Sequence, residues 1–219
     1  MKYDPFATAQ GLETLKQMIE KLNSAPYLSF ADFPPGKSAL VVIGLINGFA
    51  REGLLKSDRV EKLISPIGDL MKGFKDFPVI MFADSHNNAS PEFASYPVHC
   101  IAGSYESEIV EELQQLGHYL RIDKNSTNAF LVRAFQEWLA VNPQISTFIV
   151  AGDCTDICIY QFAVTLKAFF NEHNQEIRVI VPINAVNTFD LGLHNGDLMD
   201  MVALCSMADN GIEIVAGIR

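Results

Sequence analysis

Long apolar runs, basic clusters and cysteine are scarce in this sequence. No uninterrupted apolar stretch is long enough to cross a bilayer, and the opening Met1-Lys-Tyr-Asp-Pro-Phe6 lacks the apolar core of a signal peptide. The expectation is therefore a cytoplasmic protein with no membrane partner. Lys and Arg number 16 against 26 Asp and Glu, a net charge of −10 without any Lys/Arg run. That balance excludes a protein built mainly to grip nucleic acid or anionic lipid. Only four cysteines occur, at 100, 154, 158 and 205, which fits a reduced protein better than a disulfide framework. Cys154 and Cys158 are four apart and so do not have Cys-x-x-Cys redox spacing.

What the sequence does hold is apolar residues in two alternating patterns. Strand-like runs at 38–45, 78–83, 119–122, 147–150, 177–181 and 212–215 are separated by helical patterns at 58–73, 106–116, 129–141, 156–171 and 194–208. Strands spaced by helices call for a parallel sheet covered on both faces. An amphipathic helix over 7–23 precedes the first strand, and the Pro-containing segment 24–37 reads as an irregular linker. Residues 1–37 thus form a helix and linker, and 38–219 a single α/β domain.

Ionisable residues gather where the strands end, which is where such sheets bind ligands. Asp84-Ser-His86, followed by Glu92 and His99 in the same loop, offers imidazole nitrogen and carboxylate oxygen of the kind that suits Zn²⁺, Mn²⁺ or Fe²⁺. Lys124 follows the third strand and could lower a neighbouring thiol's pKa. Cys158 follows the strand-and-glycine stretch Thr147-Phe-Ile-Val-Ala-Gly152, near the start of a helix whose unpaired N–H groups favour a thiolate. Taken alone, that segment reads equally as an ordinary turn with a packed cysteine.

Four segments in this order resemble the nicotinamidase/isochorismatase-like cysteine hydrolase superfamily over residues 38–219. They are Val42-Ile-Gly-Leu-Ile-Asn-Gly-Phe49, Asp84-Ser-His86 with Tyr96-Pro-Val-His99, Lys124-Asn-Ser-Thr-Asn-Ala-Phe130, and Gly152-Asp-Cys-Thr-Asp-Ile-Cys158. The resemblance implies a three-layer Rossmann-like sandwich around a six-stranded, mostly parallel sheet. It implies amide hydrolysis through a thioester on Cys158, with Lys124 in the triad. It also implies a cis peptide at Asp153–Cys154, and an oxyanion hole from the N–H groups of Cys154 and Cys158. On the nicotinamidase side, Asp84, His86 and His99, with Glu92 as an added ligand, would hold a divalent metal, zinc first with manganese or iron as alternatives. Phe49 and Tyr96 match positions that sandwich the ring of a small amide, nicotinamide first. Homo-oligomers are common in the family, and helix 7–23 could serve an interface or simply cover a sheet face.

One departure qualifies this. The family's first strand ends in an Asp that takes the thiol proton and returns it to ammonia, whereas this chain has Gly44. Losing a general acid/base costs about 10²–10⁴-fold. Four alternatives follow: a hydrolase that is impaired or uses a rearranged base, a hydrolase for another small amide, a silent relative that keeps metal and ligand binding, and an otherwise active enzyme in which this glycine is a variant. On this reading, Gly44→Asp should raise hydrolysis steeply.

Overall fold

The computed structural model describes residues 5–219, with side chains from residue 10 onward. Met1–Asp4, the start of the stretch examined for a signal peptide, lies outside them. Among the described residues eight strands run in chain order: β1 Tyr27–Leu28, β2 Ser38–Ile43, β3 Val79–Asp84, β4 Leu120–Lys124, β5 Thr147–Gly152, β6 Arg178–Pro182, β7 Glu213–Val215 and β8 Gly217–Ile218. Interspersed are α1 Pro5–Asn23, α2 Asn47–Ala50, α3 Asp58–Glu61, α4 Ile64–Gly73, α5 Glu111–Gln114, α6 Arg133–Val141, α7 Tyr160–Glu172 and α8 Gly196–Asp209. The helix expected over 58–73 is broken in two near Leu63, and that expected over 106–116 shrinks to the single turn α5, with a 3₁₀ turn before it. The segment 24–37 is less irregular than its prolines suggest. It carries β1, which pairs with β8, and a 3₁₀ turn closed by a Ser29–Asp32 capping box.

β2 to β7 form one parallel sheet in the order β4-β3-β2-β5-β6-β7. Every residue of β2, β3 and β5 is buried, as strands covered on both faces must be. The alternation within β2 defines the layers. Leu40 and Val42 join the core with Ile67, Met71 and Phe74 around α4, while Ala39, Val41 and Ile43 join Phe135, Phe162 and Leu166 of α6 and α7. The expected three-layer α/β sandwich is therefore present. The chain leaves β2 toward β3 and β4, then returns to β5 and continues the other way. The topological switch lies between β2 and β5, and a ligand cleft opens beyond the carboxyl ends of these strands.

Candidate active site

Register brings the ionisable residues together. Asp84, the last residue of β3, lies opposite Lys124, the last of β4. Lys124 Nζ donates to Asp84 Oδ1 at 2.5 Å and to the Ser126 carbonyl at 3.2 Å, and stands 3.7 Å from Cys158 Sγ. All three side chains are buried: Lys124 is 1% exposed, Asp84 2% and Cys158 7%. Burial favours the neutral form of Asp84, but the Lys124 charge and its hydrogen bonds outweigh it and hold the carboxyl below the ordinary range. Burial likewise opposes the charge on Lys124, yet Asp84 and Cys158 raise its pKa.

For Cys158 the balance runs the other way, and the expected thiolate is not the resting form. Burial dominates, Asp84 and Asp153 add to it, and Lys124 only partly opposes, so the thiol is pushed up to about 12. The local backbone differs as well. Cys158 sits inside a π-helical turn, Thr155–Ile159, that precedes α7, rather than in the first turn of a regular helix. The peptide bond Asp153–Cys154 is cis, as the resemblance implies.

Asp84, His86 and His99 bring one ligand atom each within 4.8 Å of one another, all buried. The imidazoles are oriented for a further partner. Asn125 Oδ1 accepts from the Asn87 N–H, which identifies it as the amide oxygen, and it also lies 3.2 Å from His86 Nδ1. His86 Nδ1 therefore carries its proton, and Nε2 keeps a lone pair. The same holds for His99, whose Nδ1 donates to the Pro97 carbonyl at 2.8 Å. His86 Nε2 and Asp84 Oδ2 are buried without any hydrogen-bond partner. Two imidazole nitrogens and a carboxylate oxygen left bare in one place fit a divalent cation. Glu92 stands farther off: its Oε1 is 4.0 Å from His86 Nε2, and its Oε2 accepts from the Thr127 N–H.

Asp84, His99, Cys154 and Cys158 line one pocket together with Phe49 and Tyr96. The Phe49 and Tyr96 rings lie 5.7 and 6.3 Å from the His99 ring. Sequence reasoning missed the opposite wall. Phe189 lines the pocket and stacks on His194 at 4.0 Å, and His194 Nε2 lies 2.8 Å from Asp156 Oδ2. Arg59 pins this loop by donating to the Thr188 carbonyl and to Asn187 Oδ1.

Also missed was Asp153, which lies against residue 44. Gly44 has φ +77°, and a Cβ there would lie 2.3 Å from Asp153 Oδ1 and 2.8 Å from the Asp153 carbonyl oxygen. Position 44 is thus not an empty slot awaiting an Asp. The carboxyl of Asp153 already occupies the space a Cβ there would need. The signal lay in strand order: Ile43 pairs with Gly152, which makes 44 and 153 neighbours, and no single motif shows that.

Comparison with known proteins agrees with this architecture. The model of the isochorismatase domain family matches residues 38–209. Nicotinamidase 1 of Arabidopsis thaliana is 29% identical over 238 residues, covering 94% of this chain and 95% of that protein. Nicotinamidase PncA from Bacillus subtilis superposes with a TM-score of 0.69 at 25% identity, over 82% of this chain and 99% of that one. The pyrazinamidase of Pyrococcus horikoshii, solved in complex with zinc, shares the fold at 19% identity, with a TM-score of 0.67 over 82% of this chain and 98% of that one.

Proposed function

The chain belongs to the isochorismatase domain family, and from that membership we propose that it hydrolyses a small primary amide, nicotinamide first, through a thioester on Cys158. One observation carries this reading: Cys158, Asp84 and His99 open on a single pocket beside Phe49 and Tyr96, with the Lys124 ammonium 3.7 Å behind the sulfur. The Cys158 sulfur attacks the amide carbon. Lys124 stabilises the thiolate as it forms, and the Cys154 and Cys158 N–H groups face the developing oxyanion. Ammonia departs, leaving an acyl thioester, and water releases the acid and the thiol. The aromatic pair holds the ring of the amide flat against this machinery.

Asp84 through a carboxylate oxygen, and His86 and His99 through Nε2, would hold a divalent cation, with Glu92 near enough to add an oxygen. The mixed nitrogen and oxygen set favours zinc, with manganese or iron as alternatives. When bound, such a cation supplies a Lewis acid for a ring nitrogen of the substrate.

A second reading, a silent relative that binds the amide without cleaving it, draws on Gly44 and on the thiol held up near 12. Ammonia release across a panel of small amides, with the protein supplied with zinc, separates the two. The hydrolase reading expects turnover of nicotinamide or another panel member, lost by at least about 10³-fold in Cys158→Ala. Calorimetric binding without ammonia release would instead establish the silent reading.

A further inference from the structure

A hydrolase that keeps its thiol protonated needs a base, and β2 offers none. We propose that Asp153, at the end of β5, supplies the catalytic carboxylate that Gly44 lacks at the end of β2, accepting the Cys158 thiol proton and later giving it to the departing ammonia. This inference rests on the amidohydrolase reading and supplies its missing group.

Geometry carries it. β2 and β5 are hydrogen-bonded neighbours at the switch point, and Asp153 N–H donates to the Ile43 carbonyl at 2.9 Å. The side chain of Asp153 reaches across to the space a residue-44 side chain would fill: its Oδ1 and Cγ lie 2.3 and 3.2 Å from the Cβ position of Gly44. A carboxylate therefore stands where the first strand would have put one, arriving from the neighbouring strand. The two placements exclude each other, which accounts for the glycine.

The surroundings of Asp153 fit a working group better than a structural one. It is 1% exposed and lines the same pocket as Cys158. Its Oδ1 is buried with no hydrogen-bond partner, and its Oδ2 receives only the Cys154 thiol at 3.6 Å. A scaffold gains nothing from such a carboxyl, since burying an oxygen without a partner is destabilising. Asp84 cannot serve instead. Its Oδ1 is committed to Lys124 and lies 3.6 Å from His86 Nε2, within the metal-ligand set. The charged and titratable groups around Asp153 are Asp84 from β3, Cys100 from the loop after β3, Lys124 from β4, and Cys154 and Cys158 from the turn after β5; β2 contributes none. Burial and the Asp84 charge raise the Asp153 carboxyl well above its ordinary range, with Lys124 opposing. That brings its proton affinity closer to that of the thiol it must serve.

The proton account closes. The Asp153 carboxylate takes the S–H proton as the C–S bond forms. The resulting acid donates that proton to the amide nitrogen as the C–N bond breaks and ammonia leaves. In deacylation the carboxylate takes a proton from water as oxygen bonds to the acyl carbon, and returns it to sulfur as the C–S bond breaks. One amide and one water become one acid and one ammonia, with Asp153 and Cys158 restored.

Asp153→Asn keeps the shape and removes the base. Two readouts apply: ammonia release, and the pH dependence of Cys158 alkylation by iodoacetamide, mapped by mass spectrometry. The expected result is a loss of about 10²–10⁴-fold in ammonia release. In the parent, alkylation should show a limb below the thiol's own ionisation, set by Asp153; in the variant that limb should vanish. Parent-like turnover and an unchanged alkylation profile in Asp153→Asn would overturn the role of Asp153 and leave the hydrolase reading standing. A parent that cleaves no amide but shows the Asp153-dependent limb would sink the hydrolase reading while keeping Asp153 as proton acceptor. Should the variant fail to fold, the parent decides: an alkylation profile with no limb below the thiol's own ionisation refutes the proposal.

Discussion

A carboxyl held above its ordinary pKa in the folded state makes stability depend on pH, and Asp153 is the residue where this can be read. With its folded pKa raised, the native state binds more protons than the unfolded chain above the ordinary value of 3.8. Its contribution is fully present below that value and is lost as pH rises through the folded pKa. Asp153→Asn cannot ionise and escapes the loss. Unfolding free energies measured in urea at several pH values should show the variant gaining on the parent as pH rises. A constant gap across pH would mean that the carboxyl ionises freely in the fold. At this scale much of the site was legible. Asp84 and Lys124 end their strands, His86, His99 and Cys158 lie in the segments that follow strands, and the structure brings them together. Asp153 was hidden because its meaning depends on what lies across the sheet. The resting thiol was misjudged because burial, which sequence does not display, outweighs the Lys124 charge.

At the scale of elements, the junction after β2 behaves as a unit with the junction after β5. Gly44 turns the chain at φ +77°, and its N–H donates to the Phe82 carbonyl of β3 at 3.0 Å. A residue with a Cβ pays about 1–2 kcal/mol for the left-handed backbone and about 1–3 kcal/mol for overpacking against Asp153. Gly44→Asp should therefore lower the melting temperature and reduce ammonia release rather than raise it. An active, equally stable Gly44→Asp would show that the β5 junction yields easily and that the two carboxyl positions can coexist. Element boundaries were legible where apolar periodicity was strong, as in β2, β3, β5 and α7. They blurred around 106–116 and 129–132, where 3₁₀ turns replace helix and local spacing carries little periodic signal.

For the molecule as a whole, the sequence suggests a cut between 37 and 38, yet packing ties the earlier segment to the domain. β1 pairs with β8, the Ala216 N–H donates to the Pro26 carbonyl, and the Arg219 guanidinium lies 4.1 Å from the Tyr27 ring centre. Phe33, 2% exposed, packs edge-on against Phe74 at 5.0 Å, and Phe30 meets the same ring at 5.2 Å. The strength of this link is a matter of buried aromatic area rather than of two short strands. Removing a buried Phe typically costs about 3–5 kcal/mol, because the cavity collapses only in part. Phe33→Ala should lose that amount in urea unfolding while Cys158 keeps its alkylation rate in native conditions, since the Phe33 cluster and Cys158 belong to cores on opposite faces of the sheet. A loss below about 1 kcal/mol would make residues 24–37 a covering strap. The larger loss would make them part of the α/β domain, extending it upstream of residue 38.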